Sequence, residues 1–241
     1  MLNIKNLEKF TDQAQTSIQN VVREYCQHLF LSYLYKKQGA EKLLFKGGTA
    51  LRIIFHNPRY SEGLDFTGIN ITQKEAEDLF TDTLVDVENT GIHIELEEGK
   101  ATTGGYSGIA IFYAYGRKTR VQIEVSLRRS KKVKGVRSLI DNDYIPAYSL
   151  VHMPKEEIVE RKLQALFSRH KPRDFYDYFF LLSGNYSYAK EKETMIRVVK
   201  LLRESKIDFR RELRELLPAS HATYLRNFKK ILEQKISEFI R

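Results

Sequence analysis

Cysteine is almost absent from the chain: Cys26 stands alone among 241 residues. One thiol excludes a disulfide framework and any metal site built from several cysteines, and it fits a reducing compartment. Histidine offers little more. His28, His56, His93, His152, His170 and His221 are scattered, and no pair has metal-ligand spacing. Long apolar runs are missing too, and a mean hydropathy of −0.44 argues against a membrane span. The opening residues, MLNIKNLEKF, carry no apolar signal core, which predicts a cytoplasmic protein. There is no internal repeat and no low-complexity segment. Acidic residues are in deficit, 31 against 40 Lys plus Arg, leaving a net charge of +9. That surplus suits an anionic partner, and it equally describes a solvated basic surface. Hydrophobic residues make up 42% of the chain, which excludes disorder and supplies a core for one large domain or two small ones.

Periodicity divides the chain. Ala14, Ile18, Val21, Val22, Tyr25 and Leu29 keep the 3.6 spacing of a long first helix. Gly39 stops it before Leu43, Leu44 and Phe45, a short buried strand. Gly47 and Gly48 break the chain, and Thr49 is placed to cap a short helix bearing Leu51, Ile53 and Ile54. A strand at 64–69 and a polar-faced helix at about 72–89 follow. Ile109, Ile111 and Tyr113 alternate along one strand. In the next, Val121, Ile123 and Val125 oppose Gln122, Glu124 and Ser126, and Gly116 turns between the two antiparallel strands. Beyond Pro154 only helical spacing remains, as in Phe175, Tyr178, Phe179 and Leu182. The fold class is α+β: residues 1–150 form an α/β core and 151–241 a helical domain, with the boundary near Ser149 to Pro154.

Two stretches carry chemistry. In Phe45 to Phe66, two glycines between a strand and a helix let backbone approach a ligand, and the helix start offers N–H groups to a phosphate. A plain strand–turn–helix junction explains the same tripeptide. Asp65, on the return strand, is a carboxylate of the kind that holds Mg²⁺ beside substrate phosphates. Glu124 offers a second carboxylate or is a solvent-facing strand residue. In Glu156 to Leu181, Lys162 and Arg169 flank one helix, and Asp174 and Asp177 share a face of the next. They can grip a triphosphate or form an interhelical salt-bridge network. Arg128, Arg129, Lys131, Lys132, Lys134 and Arg137 place six cations in ten residues. This run follows the strand of Glu124 and can track an RNA backbone, or it is a solvated loop.

Taken in order, FKGGTALRIIFHNPRYSEGLDF and then the Lys-Leu-x-Ala-Leu and Arg-Asp-x-x-Asp stretch resemble the AbiEii/AbiGii toxin family of type IV toxin–antitoxin and abortive-infection systems. The resemblance runs from about Leu7 to Leu232. It implies a nucleotidyltransferase-like mixed sheet with flanking helices, followed by an all-helical domain. It also implies transfer of a nucleotide from an NTP to an acceptor, such as the tRNA 3′ end, with Mg²⁺. Under that resemblance Gly47, Gly48 and Thr49 hold the NTP phosphates, Asp65 is a metal carboxylate, and Lys162, with Arg169, contacts the triphosphate. Asp174 is then a later essential carboxylate; for Arg169, Arg173 and Asp177 structural roles are as open. A cognate antitoxin is an implied partner.

One position departs from the family. Its usual Ser-Glu-Asp-Leu-Asp-Phe reads Ser-Glu-Gly-Leu-Asp-Phe at 61–66, so Gly63 replaces the first metal carboxylate. Residues 63 and 65 of a strand face one way and Glu62 the other, so Glu62 is a poor substitute. Either Glu124 shares the metal, or the protein is an impaired nucleotide- or RNA-binding relative acting through a partner, or a toxic gene has been inactivated.

Overall fold

The computed structural model describes residues 2–127 and 133–240, which divide into two compact units. The first comprises residues up to His56 and Tyr60–Pro154; the second comprises Asn57–Arg59 and Lys155 onward. A three-residue piece of the first half of the chain thus belongs to the second unit, and the first unit ends at Pro154.

The first unit is built on a mixed seven-stranded sheet ordered β3-β4-β5-β2-β1-β7-β6. Its strands are β1 (Leu43–Lys46), β2 (Gly63–Gly68), β3 (His93–Thr102), β4 (Gly105–Ala114), β5 (Arg117–Ser126), β6 (Val136–Ile140) and β7 (Tyr148–His152). β2 runs parallel to β5 and β1 parallel to β7, while every other pairing is antiparallel. Four helices accompany it: α1 (Ile4–Gln13), α2 (Ile18–Leu34), α3 (Gly47–Phe55) and α4 (Gln73–Glu88). The single long first helix expected from periodicity is two. Gln15 takes a left-handed φ of 49°, and Ser17 starts α2 by accepting from the Asn20 N–H at 3.3 Å. Thr72 and Glu75 close a capping box on α4, with bonds of 2.7 and 3.2 Å. The β4–β5 turn is as expected, with Tyr115 and Gly116 both at positive φ.

β3, β6 and β7 escape the periodicity reading. β3, HIELEEGKAT, is mostly exposed, and its charges blunt an edge that another chain would otherwise pair with. Phe30 of α2 meets Phe80 of α4 at 5.8 Å between ring centres, and Phe80 meets Phe66 of β2 at 5.6 Å, so both helices cover one face. Glu24 of α2 pins α3: Arg52 Nε donates to it at 2.6 Å, and Tyr144 Oη at 2.8 Å.

The second unit is helical: α5 (Lys155–Arg169), α6 (Pro172–Ser183), α7 (Lys192–Glu204), the short α8 (Phe209–Leu213) and α9 (Ala222–Leu225), and α10 (Phe228–Ile240). Phe228 is its hub, with Phe209 at 4.8 Å and Tyr176 stacked at 5.9 Å. Among the described residues no helix is long and apolar enough to cross a membrane.

Candidate active site

The sheet register assembles the polar groups of the first unit. Lys46 on β1 lies opposite Asp65 on β2, Asp65 opposite Glu124 on β5, and Glu124 opposite Ser107 on β4. Residues paired directly across strands share a face, so these four form one row. The alternate residues Phe45, Phe66 and Tyr106 point toward α4. The row therefore occupies the opposite side, where it lines a cleft of about 330 Å³ with Ser126 and the β3–β4 turn at 102–104.

At the Gly-Gly turn, Gly47 has φ +86°, and a Cβ there would lie 2.0 Å from Asp65 Oδ2. The turn thus needs glycine twice, for its backbone angle and for the carboxylate seated against it. α3 begins at Gly47 with Lys46 as its N-cap, so the expected cap role of Thr49 is corrected. The Thr49 hydroxyl donates to the carbonyl of Gly63, and the residue is buried; it ties the helix start to β2. Gly48, also buried, occupies the first turn of α3.

Gly63 stands opposite Gln122, on the face of Asp65. A Cβ at Gly63 would meet the Gln122 carbonyl oxygen at 3.0 Å, a tight contact, and φ there is one that L residues adopt. Gln122 Nε2 donates to Glu124 Oε1 at 2.8 Å, which orients the exposed Glu124 carboxylate. Asp65 and Glu124 are thus neighbouring carboxylates on one cleft wall. Mg²⁺ commonly takes one or two protein carboxylates and completes its shell with water and substrate phosphates, so this pair fits it. Among the described residues no group of three or more His, Cys, Asp or Glu is placed to hold a metal.

In the second unit the acid–base pairing is specific. Asp177 and Arg59 are each 1% exposed and form a two-pronged pair, with Nε–Oδ1 at 2.8 Å and Nη2–Oδ2 at 2.9 Å. Asn57 Nδ2 donates to Asp177 Oδ1 at 3.0 Å, and Lys162 Nζ to Oδ2 at 2.8 Å. Burial pushes the Asp177 carboxyl up, but the Arg59 and Lys162 cations outweigh it and hold it at about 2. Asp174 accepts from Arg169 Nη2 at 2.6 Å and from the Lys171 N–H at 3.3 Å, with no exposed surface on its side chain. Here the interhelical salt-bridge network weighed from sequence is present, and Lys162 is bound by Asp177, not Asp174.

Of the basic run, Arg128, Arg129, Lys131 and Lys132 lie outside the described residues. Lys134 and Arg137 are exposed, and Arg137 stands opposite Val151 on β7. With β7 registered to β1 at Phe45–His152, Arg137 shares the face of the polar row. Sequence reasoning missed Lys46, whose only signal was its place just before the two glycines. It also missed Arg59, whose loop carries no pattern at all.

Solved structures place this architecture. MenT4, a nucleotidyltransferase toxin from Mycobacterium tuberculosis H37Rv, is similar over 100% of this chain and 90% of its own, with TM-score 0.63 and 14% identity. JHP933 from Helicobacter pylori is similar over 92% of this chain and 95% of its own, with TM-score 0.55 and 20% identity. At such identities the likeness shows the fold. No curated protein matches the chain. The model of the nucleotidyl transferase AbiEii toxins of type IV toxin–antitoxin systems matches residues 29–238, so the chain that carries this cleft belongs to that family.

Proposed function

We propose that the protein transfers a nucleotide from an NTP to a nucleic-acid acceptor, a tRNA 3′ end being the first to test, in the cleft of its first unit. The observation that carries the reading is the Asp65–Glu124 pair beside the Gly47–Gly48 turn. In this reading the N–H groups that open α3 receive phosphate oxygens. Asp65 and Glu124 would hold Mg²⁺, whose chemistry when bound is to neutralise phosphate charge and make the α-phosphorus electrophilic. An acceptor hydroxyl oxygen bonds to the α-phosphorus and gives up its proton to solvent, the bond to the bridging oxygen breaks with its electron pair, and pyrophosphate leaves. The protein's share is to align these groups and fix the charges around them. In this reading Arg137, on the same face as the row and three strand spacings across the sheet from Asp65 (about 14 Å), steers an RNA backbone. Thr49 serves the site indirectly, by tying the start of α3 to β2.

Gly63 favours a second reading, a family member with impaired transfer that binds nucleotide or RNA and acts with a partner, including a cognate antitoxin. Incubation of purified protein with tRNA, Mg²⁺ and each labelled NTP in turn separates the two. Incorporation by the parent protein supports transfer. Absence with every NTP, together with incorporation by Gly63→Asp, supports the impaired reading.

A further inference from the structure

We infer that Lys46 is the triphosphate-binding cation of the first unit and that it sets the direction of the nucleotide in the cleft. The phosphates lie toward β1, and the sugar and base lie toward β4. This inference rests on the nucleotidyltransferase reading above.

The charge order along the polar row is the first ground. Crossing β1, β2, β5 and β4 it runs cation, carboxylate, carboxylate, hydroxyl: Lys46, Asp65, Glu124, Ser107. Three strand spacings separate its ends, about 14 Å, enough for an extended nucleotide to lie along it. All four residues line the one cleft. Beyond Glu124 the lining is uncharged: Ser107, Ser126 and the turn at Thr102, Thr103 and Gly104. Hydroxyls and backbone groups suit a sugar and a base; a polyanion belongs at the other end, where the cation is.

The second ground is the position of Lys46 on its helix. It is the N-cap of α3, it makes no side-chain cap bond there, and the first turn holds no acidic residue. A helix start carries partial positive charge, so a lysine there costs stability where Ser, Asp or Asn would add it. The unfavourable placement is offset once an anion binds to the ammonium and the opening N–H groups together.

Calorimetry on the full-length protein with Mg²⁺ tests the assignment, using an α,β-methylene NTP, the matching NMP and inorganic pyrophosphate. Lys46→Met should weaken the triphosphate analogue and pyrophosphate about tenfold or more, and leave the monophosphate within about twofold. Lys46→Arg should recover most of the lost affinity. Lys46→Gln, which stays polar, serves in place of Lys46→Met if that variant unfolds, and carries the same expectation. Equal affinity of parent and variant for the analogue overturns the Lys46 role and leaves the nucleotidyltransferase reading standing. Equal losses for triphosphate and monophosphate overturn it too, since they make Lys46 a counter-ion to Asp65. A parent protein that binds none of the three probes overturns both the inference and the reading beneath it.

Discussion

Asp65 and Glu124 lie directly opposite one another on parallel strands, inside a register that runs unbroken from Gly63–Gln122 to Thr67–Ser126. Parallel pairing of β2 and β5 is what turns two carboxylates 59 positions apart in the sequence into neighbours on one cleft wall.

Asp65→Asn should abolish Mg²⁺-dependent binding of NTP. Gln122→Ala, which removes the bond that orients Glu124, should weaken Mg²⁺ affinity by about tenfold or more. Titration of Mg²⁺ against NTP-bound protein measures both. Unchanged affinity in Gln122→Ala would show that Glu124 does not hold the ion.

Gly63→Asp should fold, because its backbone angle suits any L residue, at a cost of about 1 kcal/mol for the 3.0 Å contact with the Gln122 carbonyl. It should also bind Mg²⁺ more tightly than the parent, since it adds a third carboxylate on the face of Asp65. Denaturant melts and metal titration read the two effects separately.

Gly47→Ala should damage both stability and the site. Left-handed strain costs about 1–3 kcal/mol, and the new methyl would displace the Asp65 carboxylate. Gly39→Ala is the control: its φ is +91°, but nothing lies within 4 Å of the added Cβ. Both variants should lose thermal stability, and only Gly47→Ala should lose Mg²⁺–NTP binding.

Arg59→Ala should destabilise the protein by about 3–5 kcal/mol, because it strips the two-pronged partner from a buried carboxylate. Removing both charges in Arg59→Met/Asp177→Leu should cost less than the sum of the single changes, as a double-mutant cycle will show. The acid sign follows from a folded value of about 2, below the usual carboxylate range. Stabilisation by Asp177 is complete above about pH 4 and is lost as pH falls toward 2.

A second acid-sensitive group is His28, buried and hydrogen-bonded to Tyr148 Oη at 2.9 Å. Burial lowers its pKa to about 4, so the unfolded chain takes up the proton first as pH falls. Stability should be flat above about pH 6.5 and decline by about 3 kcal/mol on the way to pH 4. His28→Gln should flatten that window in urea melts recorded at successive pH values; an unchanged slope would assign it to other groups.

Much was legible in the sequence because it is local. Gly-Gly between an apolar run and a helix, alternation around Gly116, and 3.6 spacing beyond Pro154 each depend on a few adjacent residues. They sufficed to read an α+β chain with a helical second part, and the ordered motifs pointed to the family. The edge strand β3 was hidden because its exposed, charged residues serve solubility and erase the alternation on which strand reading depends. The break between α1 and α2 was hidden because a left-handed glutamine leaves no compositional mark.

What tertiary structure alone decided is who meets whom. Lys46, Asp65, Glu124 and Ser107 become a row through strand order and register, and neither is written in any one strand. Sequence spacing places two aspartates on one helix face, and the packing of α5 against α6 decides their partners: Arg169, next to the connection, meets Asp174, and Lys162, two turns earlier on α5, meets Asp177. A three-residue segment from far upstream adds Arg59 to Asp177, because a carboxylate so deeply buried needs charge and hydrogen bonds on both oxygens.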